Sequence, residues 1–284
     1  VTNQASAAAI AAQLGRRLER VDSLGGVENR VQRMRGPGFD WVLRTPVDPS
    51  APDTYPLEAW AIGAARAAGV HSPAVVALGD RFLVLEYEPP RRAIDDPWHT
   101  LGAFASAVAC IPLDDAPDGV FSRFGRDLAE AWRAHVRYNV EALSTADPLL
   151  HQGVYAEADR ARIRDRIAPL EDEPFAHGLA HGDLAPRNLI ARDHGAALID
   201  WGSVTTGPAP WTELQRVYQE QQEEVLAAFA AGAGVALDAS ARDLLHRLTV
   251  LRALDLARWA REHRPALAAE YAASAARLVR SGAE

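Results

Sequence analysis

The chain has 284 residues, 48% hydrophobic and 24% charged, which suits a globular fold with an ample core and excludes a disordered or fibrous one. Its net charge of −8 lacks the basic footprint of nucleic-acid binding, aids solubility and would suit a cationic ligand. No apolar run approaches the length of a membrane span. The single cysteine, Cys110, excludes an internal disulfide; with no basic leader in the opening residues, it points to the reducing cytoplasm. Cys110 lies in the apolar run AVACIP and reads as a buried helix residue. All 30 basic residues are arginine, so any role usually given to lysine falls to arginine.

The spacing of Ile10, Leu14 and Leu18 predicts an amphipathic helix over residues 6–19. Strands are expected at 21–24, 27–34 and 39–45, divided by Gly25-Gly26 and by the Gly36-Pro37-Gly38 turn. A strand–Gly-Gly–strand unit lets the backbone come close to phosphate. After a proline-rich loop, PLEAWAIGAARAAG reads as a helix ended by Gly69. A second hairpin, 75–78 with 82–87, turns at Gly79-Asp80. LVLEYEPP then becomes polar and proline-rich, as a hinge would, and sets a boundary near residue 88. Beyond it, helices are expected at 98–110, 126–143, 155–170, 212–230, 240–262 and 265–279.

One stretch carries the chemistry: HGDLAPRNLIARDHGAALIDWG, from His181 to Gly202. Residues 189–199 alternate like a hairpin about Arg192-Asp193-His194-Gly195, which places Asn188 opposite Ile199 or Asp200. An amide and a carboxylate at adjacent strand ends can hold Mg²⁺, a cation that prefers oxygen ligands. Asp183, one short loop away, can orient an attacking hydroxyl or take its proton. That set suits phosphoryl transfer, in which the protein mainly positions groups and balances charge. Trp201, beside Asp200, reads as core.

HGDLAPRN followed by LIDWG resembles the aminoglycoside phosphotransferase/choline kinase family, a protein-kinase-like group acting on small molecules. The resemblance implies an α+β, bilobal protein-kinase-like fold, with a small antiparallel-sheet N-lobe (1–88) and a mostly helical C-lobe (89–284). It implies Asp183 as catalytic base, His181 as the brace of its loop, and Asn188 and Asp200 as metal ligands. Gly25, Gly26 and Asn29 fit the family's GG…N segment at the nucleotide phosphates. Arg44 stands where kinases place a strand lysine, with Glu58 as its ion-pair partner. Main chain at Glu86 to Glu88, Glu86 and Tyr87 included, would meet the base. ATP or GTP with Mg²⁺ is the implied cofactor. Ala109 departs from the family, where VACIPLDD would carry a histidine.

The acceptor is expected beside Asp183, a small hydroxyl compound that includes cationic ones. Trp211, Glu213, Tyr218, Glu220, Glu223 and Glu224 form an aromatic and acidic run there. The carboxylates would suit an aminoglycoside, and Trp211 with Tyr218 a macrolide. Arg187 would touch the γ-phosphate or the acceptor. An antibiotic kinase of aminoglycoside type conferring resistance is the leading expectation. The alternatives are a kinase of a macrolide, choline-like alcohol, sugar or biosynthetic metabolite, and a nucleotide binder without turnover. The absence of HRD and APE motifs speaks against a protein kinase.

Overall fold

The computed structural model describes residues 6–26, 29–91 and 93–281. Helix α1 (Ala7–Gln13) is capped by Ser6, whose hydroxyl accepts from the Ala9 amide at 3.2 Å. It stops well short of the expected residue 19. Gly15 adopts φ 68°, and the Arg16 amide bonds back to Ala11, closing the helix as a glycine C-cap does.

Five strands follow: β1 (Arg20–Gly25), β2 (Asn29–Gly36), β3 (Phe39–Pro46), β4 (Val75–Gly79) and β5 (Phe82–Glu86). They form one antiparallel sheet in the order β1-β2-β3-β5-β4. Val27 and Glu28, expected to open the second strand, lie outside the described residues. Helix α2 (Tyr55–Ala67) crosses between β3 and β4 and ends at Gly69, φ 85°. One face of the sheet buries Met34, Leu43 and Val84 against Ile10 of α1. On the other, Leu83 and Leu85 join Ile62 of α2 in a core that continues into the second lobe through Leu101, Leu179 and Trp201.

The second lobe holds α3 (Pro97–Ala109), α4 (Leu128–Ala142), α5 (Pro148–His151), α6 (Arg160–Ile167), α7 (Trp211–Glu220), α8 (Glu223–Gly232), α9 (Ala239–His263) and α10 (Ala268–Ser281). Asp96, Asp127 and Asp238 cap α3, α4 and α9 by accepting a backbone amide. The helix expected over 212–230 is two: Gln221 and Gln222 are extended and break it. The one expected over 155–170 keeps α-geometry only in α6, with 3₁₀ turns on either side, the second holding Pro169. Cys110, expected buried, is exposed, because α3 ends at Ala109 and the cysteine sits on its C-cap.

Four short strands complete the lobe. β6 (His177–Ala180) pairs antiparallel with β9 (Thr205–Pro208), and β7 (Leu189–Ala191) with β8 (Ala196–Leu198). The second pair is the expected hairpin, in the register Leu189↔Leu198, so Asn188 faces Ile199. The first pair went unread in the sequence. No helix among the described residues is long and apolar enough to cross a membrane.

Candidate active site

A cleft of about 830 Å³ lies between the sheet and the helical lobe. Val31, Val42 and Leu85 wall it from above, and Ile190 and Ile199 from below; the pair of apolar walls suits a flat ring. Gly26 and Asn29 border its mouth. Gly26 has φ 114°, and a Cβ there would stand 2.0 Å from the Asn29 carbonyl oxygen, so only glycine fits. The Asn29 amide oxygen accepts from the Tyr55 hydroxyl at 2.8 Å, which pins the loop to α2.

Arg44, Asp183, Asn188 and Asp200 gather at the polar end of the cleft. Arg44 is 8% and Glu58 1% exposed. The guanidinium donates to Glu58 and, at 2.8 Å, to Asp200. Burial lifts the Glu58 carboxyl to about 7, with Arg44 opposing and Asp200 adding to the rise. Asp200, two residues beyond β8 and just before a 3₁₀ turn, lies in the left-handed region, φ 67° and ψ 61°, an uncommon conformation for a non-glycine residue. Its side chain is 44% exposed and lines the cleft.

The loop from His181 to Asn188 is held from several sides. His181 is fully buried, its Nε2 3.1 Å from the Ile199 carbonyl and its Nδ1 accepting the Asp183 amide at 3.3 Å. One nitrogen donates and the other accepts, so the ring is neutral, and burial drives its pKa down to about 4. The ring packs edge-on against the fully buried Trp201 at 4.8 Å. Gly182, φ 79°, passes so close to Ser203 that a Cβ would stand 2.1 Å from its carbonyl oxygen. Its amide donates to Glu213 at 2.7 Å, and its carbonyl accepts from Arg216.

Asp183 is gripped by three partners. Arg187 reaches both carboxylate oxygens at 2.7 Å, Arg216 reaches one at 2.9 Å, and the Asn188 amide nitrogen donates at 3.0 Å. Asn188 also donates to the Asp183 carbonyl at 2.8 Å. With its nitrogen so used, Asn188 keeps its oxygen for another partner. The Ile199 amide bonds the Asn188 carbonyl at 3.0 Å, which holds Asn188 one residue from Asp200 across the strands.

A second cavity, about 330 Å³, opens on the other side of this loop between α4, α7, α9 and β9. Trp132, Leu248 and Leu251 give it apolar walls, while His135, Arg252 and Asp255 supply polar groups. Ser203 and Arg216 line both cavities. The sequence reading missed Arg216, although it lies three positions after Glu213, on the same face of α7.

The structure brings most of the expected residues together and separates some. Glu86, Tyr87 and Glu88 all line the cleft; the Glu86 and Tyr87 amides donate to Ala74 and Asp40, so a base edge would meet other main-chain groups of this segment. Trp211 and Tyr218 line neither cavity: Trp211 packs on Phe175, and Tyr218 sits against the core. Glu213 is buried and committed to the Gly182 amide, with burial raising its pKa. Glu220 and Glu223 pair with Arg216 and Arg242, and Glu224 lines neither cavity. The expected acidic surface for a polycation is therefore not assembled.

A sheet lobe over a helical lobe, with carboxylates and an amide at the cleft floor, defines a protein-kinase-like α+β fold. The family model described as the phosphotransferase enzyme family matches residues 19–245, and the chain belongs to that family. It is accordingly an enzyme that transfers phosphate to a hydroxyl of a small molecule. Among solved structures, it is similar to the macrolide 2'-phosphotransferase MphH from Brachybacterium faecium, with a TM-score of 0.67 and 19% identity over 93% of this chain and 95% of that one. It is also similar to the GDP complex of aminoglycoside 2'-phosphotransferase-IIIa, with a TM-score of 0.66 and 18% identity over 96% and 97%. A thermostable mutant of aminoglycoside phosphotransferase APH(4)-Ia with ADP and hygromycin B gives a TM-score of 0.60 and 18% identity over 97% and 98%. No curated protein sequence is significantly similar.

Proposed function

We propose that the chain moves the γ-phosphoryl group of ATP or GTP, with Mg²⁺, onto a hydroxyl of a small molecule in the cytoplasm. Residues 1–88 act as the nucleotide-binding lobe, and 89–284 carry the catalytic loop and the acceptor site. The observation that carries this reading is the junction of the two cavities at the catalytic loop. Arg216 and Ser203 line both, Asp183 lines the cleft, and Gly182 beside it lines the second cavity. A nucleotide in one and an alcohol in the other would meet at Asp183. The GDP and ADP complexes among the similar structures support nucleotide binding in the cleft.

Asp183, held by Arg187, Arg216 and Asn188, orients the attacking hydroxyl and receives its proton. Arg44 meets phosphate at the sheet side of the cleft, with Glu58 keeping its fork in place. Base recognition falls to main-chain groups of the segment Glu86 to Glu88, all three residues of which line the cleft.

The donor set fits Mg²⁺: the Asn188 oxygen and the Asp200 carboxylate are hard ligands on neighbouring strand ends. No three His, Cys, Asp or Glu side chains form a metal cluster among the described residues, so phosphate and water would complete the shell. A bound Mg²⁺ supplies charge neutralisation on the phosphates.

An aminoglycoside-type antibiotic is the acceptor expected from sequence and a macrolide is an alternative, and phosphotransferases of both kinds are among the similar solved structures. Of the carboxylates behind the first expectation, Glu213, Glu220 and Glu223 have partners and Glu224 lines neither cavity, which leaves the class to be read from the second cavity. The test is nucleotide diphosphate release with Mg²⁺ and ATP or GTP across aminoglycosides, macrolides, sugars and hydroxy acids, with Asp183→Asn as blank. Stimulated release by wild type alone is expected. Equal release by Asp183→Asn would remove Asp183 from its role.

A further inference from the structure

The second cavity holds four charged side chains, and three are occupied. Asp255 lies 3.4 Å from His135, Arg123 and the Asn139 amide nitrogen. Glu213 accepts the Gly182 amide, and Arg216 pairs with Asp183 and Glu220. Arg252, on α9, makes no hydrogen bond or ion pair among the described residues. Glu213 and Glu220 act on it electrostatically without reaching ion-pair distance, and Arg216 repels it.

We infer that Arg252 is the anion-binding group of the acceptor site, and that the acceptor is a hydroxyl compound bearing a carboxylate. This rests on the kinase reading and names the substrate class of that site. Arg252 is half-buried and lines the cavity without a protein partner among the described residues, so it gives up part of its hydration while its fork stays open to an oxyanion. A carboxylate matches that fork in shape and charge. A polycation would face Arg252 and Arg216 together, with the nearby carboxylates already taken. The walls formed by Trp132, Leu248 and Leu251 take the apolar part of the molecule, while the hydroxyl points to Gly182 and the Asp183 loop. A volume of about 330 Å³ is at the small end for ligand pockets and fits a compact hydroxy acid.

The test uses matched pairs, hydroxy acids from glycolate to 3-phenyllactate and their primary amides, bound to the full chain with ADP and Mg²⁺ and followed by calorimetry. At least one acid should bind about tenfold tighter than its amide. Arg252→Gln should bring the pair level, and Arg252→Lys should keep part of the preference. Both variants are checked for a wild-type circular dichroism spectrum. Acid and amide binding alike, or neither binding, overturns the inference, as does a preference that survives Arg252→Gln or displacement of the acid by kanamycin. Turnover is read separately. Acid preference with no phosphorylation of any alcohol would uphold the anion site and sink the kinase reading, and turnover of neutral or cationic alcohols without acid preference would do the reverse.

Discussion

Arg44 on β3 donates a 2.8 Å hydrogen bond to Asp200, a residue 156 positions further along the chain, and with its other nitrogen pairs with Glu58 on α2. One guanidinium therefore ties the sheet to a helix of its own lobe and to the floor of the cleft. Arginine does this well because its planar fork reaches two carboxylates at once, where a lysine would offer a single point of charge.

Removing Arg44 leaves Glu58 buried without its counter-ion. Arg44→Gln should destabilise the fold by about 3 kcal/mol at pH 8, the order seen when one partner of a buried pair is lost. The cost should shrink below pH 7. Glu58 titrates near 7 in the fold against an ordinary 4.5. A raised carboxyl binds its proton more tightly when folded, so its penalty is absent below pH 4.5 and complete above about 7. Urea unfolding of wild type, Arg44→Gln and Arg44→Gln/Glu58→Gln at pH 6 and pH 8 checks this. The double variant should lose the pH dependence.

His181 works in the opposite direction. Its folded pKa of about 4 lies below the ordinary 6.5, so the unfolded chain takes up a proton that the fold refuses. Stability from the neutral ring is complete above pH 6.5 and is lost as pH falls toward 4, by about 3 kcal/mol for a shift of this size. His181→Gln should therefore cost most at pH 7.5 and least near pH 4.5. A constant difference between the two proteins across that range would show that the ring is not held neutral.

Much of this site is legible in the sequence, for local reasons. The alternation from Leu189 to Ile199 and the turn at Gly195 fix a hairpin in one register, and that register alone brings Asn188 beside Ile199. The Arg44–Glu58 pair is expected through the family resemblance, with Arg44 at the strand position of a kinase lysine, and the structure forms it. Other features depend on contacts distant in sequence. β6 and β9 are four residues each, and Gly207 and Pro208 break any strand pattern. Glutamine is a good helix former, so nothing local marks the break at Gln221-Gln222. What accompanies that break is a close crossing of α3 and α8: a Cβ on Gly102 would stand 1.9 Å from the Phe229 carbonyl oxygen, and one on Gly232 equally near that of His99. Arg216 and Arg252 stayed hidden because only the packing of α7 and α9 turns them to one cavity.

Gly182→Ala should cut activity sharply with a fold that survives. The residue sits at φ 79°, and its Cβ would meet the Ser203 carbonyl at 2.1 Å, backbone against backbone, with no flexible side chain to give way. The loop must shift, and Asp183 shifts with it. A loss of about 2–4 kcal/mol in stability is expected, in the range of strain at special backbone positions. Turnover should fall at least 100-fold, since a displacement of about 1 Å is enough for that. Near-normal turnover with reduced thermal stability would separate the loop's shape from its chemistry.

Arg187 and Arg216 both hold Asp183, yet they should not be equivalent. The Arg187 side chain is 65% exposed, the Arg216 side chain 29%. Solvent screens the first pair, and pairs of that kind contribute about 0–1 kcal/mol. Arg216 also bonds the Gly182 carbonyl and lines both cavities, so its removal frees the loop and takes a positive charge from the place where phosphoryl charge develops. Arg187→Ala should lower kcat less than tenfold. Arg216→Ala should lower it by about 100-fold or more, with a smaller change in nucleotide KM, because the charge it meets is greatest in the transition state. Steady-state kinetics of the two variants with one acceptor decides the matter. Equal losses in both would mean that the two arginines serve only to hold the carboxylate; a loss confined to Arg187→Ala would move the phosphoryl contact to the exposed side of the loop.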